Sequence, residues 1–170
     1  MPRVLHDLGA GIIPLGTRSQ NCYPGDVQIR PIHEGLFSSP DDPGGLGLYA
    51  GQCLSCNALH FPATDDCPYC GATGCETQIV GKTATLYLAT VVTAAPPGYH
   101  GEVPYGFGLV DLPEGLRVIS VIAETDVNQL RPGLSLRLGL RTLPWPEPEQ
   151  AEGGGLTLTS WHYEPAGESS

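Results

Sequence analysis

The sequence predicts a mainly-β protein: a small ribbon held by four cysteines, then a five-stranded Greek-key barrel of the OB type, both preceded by an irregular N-terminal arm. Three observations support this prediction. Glycine and proline contribute 23 and 17 of 170 residues, about twice their usual share, which disfavours long helices. Two CxxC pairs lie within a short, turn-rich stretch. Downstream of them, several segments alternate apolar and polar residues, as half-buried strands do.

The composition argues against a nucleic-acid-binding protein. The chain carries 8 basic and 18 acidic residues, a formal net charge of −10, and Lys82 is its only lysine. Polyanion binding depends on Lys and Arg side chains that neutralise phosphates. The sequence also lacks an apolar run of the roughly 20 residues that a membrane-spanning helix needs, and its first residues lack the features of a secretory signal peptide. We therefore expect a cytoplasmic protein that binds neither nucleic acid nor membrane.

Residues 1–45 are interpreted as an extended or partner-packed arm. They carry Pro, Gly, Ser and Asp throughout, most densely in SSPDDPGG at 38–45, and show no sustained helix or strand period. A purely solvated tail has no reason to keep many apolar residues, yet the arm contains Ile12, Ile13, Leu15, Ile29, Ile32, Leu36 and Phe37. Two explanations stay open: these residues pack on the chain's own body, or they pack on a partner.

Residues 46–78 are predicted to form the ribbon. Its two CxxC pairs are Cys53, Cys56, Cys67 and Cys70. Asn57 and Gly71 follow the pairs, and both tolerate the positive φ that lets a knuckle turn its N–H groups back toward the thiolates. Four thiolates at this spacing suit one structural Zn²⁺ in tetrahedral coordination. Iron in a rubredoxin-like site and a redox-active dithiol stay open as alternatives.

Three further residues could enter this chemistry. His60 lies between the pairs and could replace one ligand, but four cysteines already complete a tetrahedral set, so we interpret it as a bystander. Cys22 and Cys75 stand outside the spacing, and neither has a His or basic neighbour in the sequence. We therefore interpret both as inert or buried thiols, not as nucleophiles.

Residues 79–165 are predicted to form the barrel, and residues 166–170 a disordered tail. The expected strands are 83–95, 105–112, 115–124, 134–143 and 156–164. The turn signal Leu112-Pro113-Glu114-Gly115 predicts a hairpin between the second and third strands. A short helical turn, with Thr125 as a possible N-cap, is expected before the fourth strand. This order favours an OB barrel over a five-stranded immunoglobulin-like sandwich, which stays open as the alternative.

The order of these motifs resembles a known family. It runs CLSCNALHFPATDDCPYCG, PYGFGLVDLPEGLRVIS, RPGLSLRLGLRTL and a last strand ending in Tyr163-Glu164-Pro165. Over residues 46–165 the chain is similar to zinc-ribbon plus OB-fold proteins associated with acyl-CoA metabolism, formerly a domain of unknown function. These include small partner subunits of thiolase-like enzymes, such as that of benzoylsuccinyl-CoA thiolase, and the partners of steroid side-chain aldolases. The long arm departs from the short N-terminal helix that is usual in this family.

The resemblance implies a non-catalytic accessory subunit of an acyltransferase or lyase complex. Its thiolase-like partner would carry out β-ketoacyl-CoA thiolysis or retro-aldol C–C cleavage in aromatic or steroid degradation. The small subunit would stabilise the partner and help to form the acyl-CoA channel, with a CoA thioester as a possible ligand of the complex. A symmetric assembly with two copies of each chain is expected. The residues themselves offer no nucleophile with a base, phosphate loop or open metal site, so we assign no catalytic residue.

Six residues are candidates for contact with the partner or with acyl-CoA: Tyr99, His100, Tyr105, Arg131, Arg137 and Arg141. The aromatic ones lie in a Pro-stiffened loop at 94–108, and loops beside an OB sheet are its usual binding edges. The arginines around the fourth strand could meet the phosphates of CoA or acidic residues of a partner, or they could balance local carboxylates. Phe107 is expected in the core, and Tyr87 and Trp161 are expected at the core or its rim.

Two other function classes stay open. A single-stranded nucleic-acid-binding OB module would need a positive groove interleaved with aromatic residues, which so few basic residues do not supply. A rubredoxin-like electron carrier would bind iron through the same four thiolates and would be red.

Overall fold

The computed structural model describes residues 28–143 and 156–167. The strands in these residues are β1 Gln28–Pro31, β2 Leu48–Cys53, β3 Leu59–His60, β4 Cys75–Val80, β5 Thr83–Val92, β6 Tyr105–Asp111, β7 Arg117–Ile122, β8 Ser135–Leu143 and β9 Leu156–Pro165. No described segment forms a helix with the length and hydropathy that crossing a bilayer requires. The expectations for Ile12, Ile13, Leu15 and Cys22, and for the end of the tail, fall outside these residues.

Strands β2, β3 and β4 form the ribbon sheet. The order is β3-β2-β4, and both ladders are antiparallel. The sheet is so short that it buries few side chains: in β2, Leu48 and Ala50 are fully buried, as is Cys53 at the strand's end. The glycine-rich stretch at 44–51, before the cysteines, contributes its last residues to β2.

Strands β5 to β9 form a closed five-stranded barrel. The hydrogen-bonded order is β9-β7-β6-β5-β8, and a ladder between β8 and β9 closes the ring. Neighbouring strands are antiparallel except β7 and β9, which meet in parallel. This Greek-key order is that of an OB barrel, so the predicted barrel is confirmed and the immunoglobulin-like sandwich is wrong.

Inward-facing apolar side chains fill the barrel. In β8 the predicted alternation is confirmed, because Leu136 and Leu138 are 1% and 9% exposed while Ser135 and Arg137 face outward. Burying one such leucine contributes about 1.5–3 kcal/mol. The same core cluster also includes Phe37 of the arm and Leu48, Ala50 and Val80 of the ribbon sheet. Ribbon and barrel thus share one continuous core.

Gly81 joins the ribbon to the barrel. Its φ of +72° and its close neighbours exclude a side chain, since a Cβ there would lie 2.7 Å from Tyr163 Oη. The buried Tyr163 hydroxyl donates a hydrogen bond of 2.7 Å to the Gly81 carbonyl, and the Gly81 N–H points at the Glu114 carboxylate, 3.3 Å away. Burial, followed by the charge of Glu114, raises the pKa of Tyr163, which keeps the phenol protonated as a donor.

The described part of the arm packs partly on the chain's own body. Strand β1 pairs in parallel with β9, an element that the sequence did not predict because four residues are too few to show a period. Phe37 is 9% exposed and packs against Trp161 at 5.9 Å between ring centroids. Ile29 and Ile32 remain 70% and 49% exposed. Trp161 is partly buried against the core, as predicted.

The predicted helical turn before β8 is wrong. Residues 124–133 form a succession of turns without helix. Thr125 is not the cap: the Glu124 carboxylate accepts from the N–H groups of Thr125 and Asp126, and Asp126 accepts from Asn128 N–H. These short-range bonds stabilise turns because Asp and Glu side chains compete for the backbone donors.

Candidate metal centre and binding surfaces

The four ribbon cysteines converge on one point. The Sγ atoms of Cys53, Cys56, Cys67 and Cys70 all lie within 4.8 Å of one another. Two of the Sγ–Sγ distances are 3.7 Å, between Cys53 and Cys70, and 3.6 Å, between Cys56 and Cys67. A tetrahedral ion with bonds of about 2.3 Å to sulfur has edges of about 3.8 Å. The observed spacing therefore fits a four-thiolate metal site.

The two knuckles have the geometry that the sequence predicted. Asn57 and Gly71 adopt φ values of +60° and +71°, and their N–H groups donate to the carbonyls of Cys53 and Cys67. This reversal aims further N–H groups at sulfur: those of Ser55 and Cys56 lie 3.4 and 3.5 Å from Cys53 Sγ.

The electrostatics of the cluster also favour a bound cation. Donation from Cys56 N–H, the largest cause, outweighs burial and lowers the pKa of Cys53 to about 6. At Cys56 the donation from Ala58 N–H acts in the same direction, but Cys70 and the other neighbouring thiols raise its pKa to about 12. Thiolates this close repel one another, so a cation that all four share allows them to ionise together.

His60 and Cys75 lie beside this cluster and do not belong to it. The predicted bystander role of His60 is consistent with its position: its ring is buried against Gly51, where a side chain would collide with it, and Nε2 lies 3.0 Å from Thr64 Oγ1. Cys75 pairs with Cys53 across the β2–β4 ladder. Burial, followed by the charge of Cys53, raises the pKa of Cys75 to about 11, which disfavours a nucleophilic thiolate.

The loop between β5 and β6 folds over one end of the barrel and borders a cleft of about 630 Å³. Four of the six predicted contact residues line it: Tyr99, His100, Tyr105 and Arg141. The rings of Tyr99 and Tyr105 pack at 5.1 Å between centroids, and Arg141 Nη2 lies 3.3 Å from Tyr99 Oη. The tertiary structure thus brings aromatic rings and a guanidinium group from two distant segments into one site.

The cleft also contains residues that the sequence did not single out. Glu102 and Glu124 line it, and so does His162 of β9. Burial is the main reason that the pKa of His162 is lowered; Arg141 acts in the same direction and Glu164 opposes it. A neutral imidazole is therefore favoured at neutral pH. Strand alternation could have assigned His162 to one face of its strand, but no local motif indicates that it lies opposite Gly139 or that it borders a cleft.

Arg131 and Arg137 lie elsewhere. Arg137 Nε forms an ion pair of 2.9 Å with Glu164 on the neighbouring strand, and Arg131 Nε donates to the Asn128 carbonyl within the preceding turns. Arg137 therefore pairs with a local carboxylate, which was the alternative explanation for these arginines, whereas the contact of Arg131 is a backbone carbonyl.

The outward side of β5, β6 and β7 carries a surface that we call the apolar face. It consists of the side chains of Leu88, Phe107, Leu109, Ile119 and Val121. Leu88, Leu109 and Ile119 form one row across the three strands, and Phe107 and Val121 are neighbours in the next. A groove of about 350 Å³ lies along this surface.

Two features create the apolar face. The prediction that Phe107 lies in the core is wrong: it is 40% exposed, because Gly106 and Gly108 occupy the inward positions of β6. A bulge in β5 between Leu86 and Leu88 shifts the register. Leu86 is consequently 1% exposed and Leu88 57% exposed, although the two are separated by one residue.

These features define a class of protein: a four-cysteine ribbon fused to an OB barrel. Two family profiles match accordingly. Residues 47–76 match the domain described as the ChsH2 rubredoxin-like zinc ribbon, and residues 77–141 match the ChsH2 C-terminal OB-fold domain. Together they span more than half of the chain, in the order found here. The chain belongs to this zinc-ribbon plus OB-fold family.

Curated relatives support the same assignment. The chain is 31% identical over 89 residues to the benzoylsuccinyl-CoA thiolase subunit BbsA of Thauera aromatica, covering 52% of this chain and 60% of that protein. It is 26% identical over 98 residues to a DUF35 domain-containing scaffold protein of Methanocaldococcus jannaschii, covering 56% and 69%.

A solved structure has a similar fold. The Ltp2-ChsH2(DUF35) aldolase contains a chain that superimposes with a TM-score of 0.53 at 25% identity, over 71% of this chain and 85% of that one. The ribbon and barrel are therefore an arrangement shared with a component of an aldolase complex.

Proposed function

We propose that this protein is an accessory subunit of a thiolase-like acyl-CoA enzyme, and that it stabilises its partner and helps to form the acyl-CoA channel. The observation that carries the proposal is the fusion of the ribbon to the barrel, a fold that this chain shares with a chain of the Ltp2-ChsH2(DUF35) aldolase. The sequence similarity to BbsA, a thiolase subunit, supports it. The partner's reaction is β-ketoacyl-CoA thiolysis or retro-aldol cleavage, and the complex holds two copies of each chain. It is a cytoplasmic complex that serves aromatic or steroid degradation.

The metal centre has a structural role in this proposal. One Zn²⁺ bound by Cys53, Cys56, Cys67 and Cys70 uses all four tetrahedral positions for protein ligands, which leaves none for substrate. When bound, the ion would cross-link the two knuckles and thereby stabilise the fold of the ribbon. The chain's own N–H groups then orient the thiolates. Iron fits four thiolates as well, so metal analysis separates this role from that of an electron carrier.

The cleft supplies the contact with the partner or the acyl-CoA. Tyr99, Tyr105 and His100 provide a rigid aromatic surface, and Arg141 provides a donor beside them. Aromatic residues and arginine are enriched where protein interfaces are strongest. Arg131 and Arg137 remain candidate contacts on the same protein, although the groups that they contact within this chain are local.

A reconstitution experiment tests the proposal. The thiolase-like subunit is produced with and without this chain, and its solubility and its rate of C–C cleavage of acyl-CoA substrates are compared. We expect soluble, active enzyme only when both chains are present. A thiolase-like subunit that is equally soluble and equally active alone would contradict the accessory role.

A further inference from the structure

The apolar face lies outside the metal centre and beside the cleft that four of the predicted contact residues line, with which it shares Val121. We propose that this face docks on the thiolase-like subunit, which covers it with an uncharged, apolar surface of its own. This inference rests on the proposed function and adds to it the side of the barrel that meets the partner.

The face occupies the position at which OB barrels bind. In this fold the outer side of the second and third strands, flanked by loops, is the usual binding surface. Here those strands are β6 and β7, and their outer side presents Phe107 and Ile119 at 40% and 59% exposure. Because these side chains are exposed within a well-paired sheet, they remain available to a ligand without any change of the barrel.

The charge distribution selects the kind of ligand. The chain carries a net charge of −10, yet no residue of the apolar face is charged. Asp111 and Arg117 lie at one end of the face, two residues along their strands from Leu109 and Ile119, and they neutralise each other at 2.6 Å. A polyanion or an anionic membrane requires Lys and Arg on the contact surface, and this face offers neither. An uncharged, apolar protein surface is complementary to it.

The edge of β5 favours a protein over a small apolar ligand. Strand β5 pairs with β8 only through Thr83–Thr85. Within the described ranges, its continuation over Leu88–Val92 pairs with β6 alone and forms no other backbone hydrogen bond. An unpaired strand edge offers backbone donors and acceptors to another chain. The open edge therefore runs along the side of the apolar face where Leu88 lies.

The face is continuous with the cleft. Val121 belongs to the face and also lines the cleft, next to Tyr105. A stable protein interface buries about 800 Å² on each partner, which is more than one shallow groove supplies. The face and the cleft together form a larger surface, so a partner seated on the face also reaches Tyr99 and Arg141.

A pair of matched variants tests this inference. Ile119→Lys places a charge in the apolar face, and Val127→Lys places the same charge in the turns before β8, at a residue of matching exposure, 59% against 60%. Affinity for the purified thiolase-like subunit is measured by biolayer interferometry, after circular dichroism has established that both variants are folded. We expect Ile119→Lys to weaken binding at least about tenfold, since burying an uncompensated charge is costly, and Val127→Lys to leave it unchanged.

Hydrogen–deuterium exchange on the unmodified complex provides a second measurement. Peptides that cover β6 and β7 should exchange more slowly in the complex than in the free chain. The complex could form while Ile119→Lys binds with unchanged affinity and the β6 and β7 peptides exchange at the same rate in the complex and the free chain. In that case the assignment of the docking face is wrong and the accessory function stands. If the chain binds no thiolase-like subunit, both are wrong. A homodimer of the free chain that Ile119→Lys dissociates would assign the face to a second copy instead.

Discussion

The ribbon and the barrel are stabilised by different means, although they share one core. In the ribbon, three short strands bury few apolar side chains, and four cysteines, two buried and two exposed, converge on one point. In the barrel, Leu86, Val110, Leu136 and Tyr163 are fully buried and every strand has two neighbours along part of its length. We therefore expect the ribbon to depend on a metal ion and the barrel to depend on apolar burial. The barrel can consequently expose apolar residues on its outer side without losing its fold.

The largest expected effect is on the ribbon. Cys56→Ser removes one of the four ligands, and metal binding in such ribbons supplies roughly 10 kcal/mol or more of apparent free energy. We expect the variant to lose the metal and the amide protection of β2 and β4, while the barrel strands stay protected. Metal analysis and hydrogen exchange measure this. The control is Cys75→Ser, which changes a neighbouring cysteine outside the cluster and should retain the metal. A Cys56→Ser variant whose ribbon stays folded and which still assembles with the thiolase-like subunit would refute the structural role of the ion.

The barrel should respond to a different change. Leu136→Ala empties a fully buried site in β8, and such truncations reduce the free energy of unfolding by about 2–5 kcal/mol. We expect a lower urea midpoint and an unchanged metal content. Leu88→Ala truncates an exposed leucine and should change stability by less than about 0.5 kcal/mol. Equal losses in the two variants would mean that the inward side of the barrel at Leu136 and its outward side at Leu88 are not distinguished as described.

The joint between the two regions should show an intermediate effect. Tyr163→Phe removes the hydroxyl that donates to the Gly81 carbonyl and leaves that buried acceptor without its partner. The cost should be about 1–3 kcal/mol in the free energy of unfolding. Tyr87→Phe, at an exposed tyrosine, serves as the control. If Tyr163→Phe is as stable as the unmodified protein, the hydrogen bond does not couple ribbon to barrel.

A cleft variant should separate binding from stability. Tyr99→Ala removes a ring from the aromatic pair and a neighbour of Arg141. We expect affinity for the thiolase-like subunit to fall by roughly tenfold, as for a contact of moderate strength in an interface, with metal content and urea midpoint unchanged. Normal affinity would remove this loop from the interface.

The smallest expected effect concerns the exposed pair at the end of the apolar face. Hydrogen bonding to Arg117 lowers the pKa of the Asp111 carboxyl. A lowered folded-state pKa stabilises the protein at neutral pH, and this contribution is lost below about pH 4 as the carboxyl is protonated. Asp111→Asn should therefore lower the melting temperature slightly at pH 7 and not at strongly acidic pH. A difference that grows as the pH falls would contradict this assignment.

The parts that could be predicted from the sequence are those with a local pattern. The spacing of the cysteine pairs, with Asn57 and Gly71 behind them, indicates the metal site without reference to the rest of the chain. The alternation of Leu134 to Leu140 indicates β8 and its inward face. Both depend only on residues that are close in the sequence.

The remaining features depend on contacts between distant segments. The bulge after Leu86 reverses the direction of Leu88, and nothing in the local sequence marks it. Phe107 faces outward because its glycine neighbours take the inward positions, a choice of register that alternation leaves open. The cleft joins a loop before β6 to Arg141 and His162, so it could be recognised only after the barrel had closed.

The most direct test of the account is native mass spectrometry of the complex that the tagged full-length chain forms in its own cells. We expect an identified thiolase-like subunit in equal number with this chain, and one zinc ion per chain. A chain without such a subunit, carrying iron or bound to nucleic acid, would contradict the account.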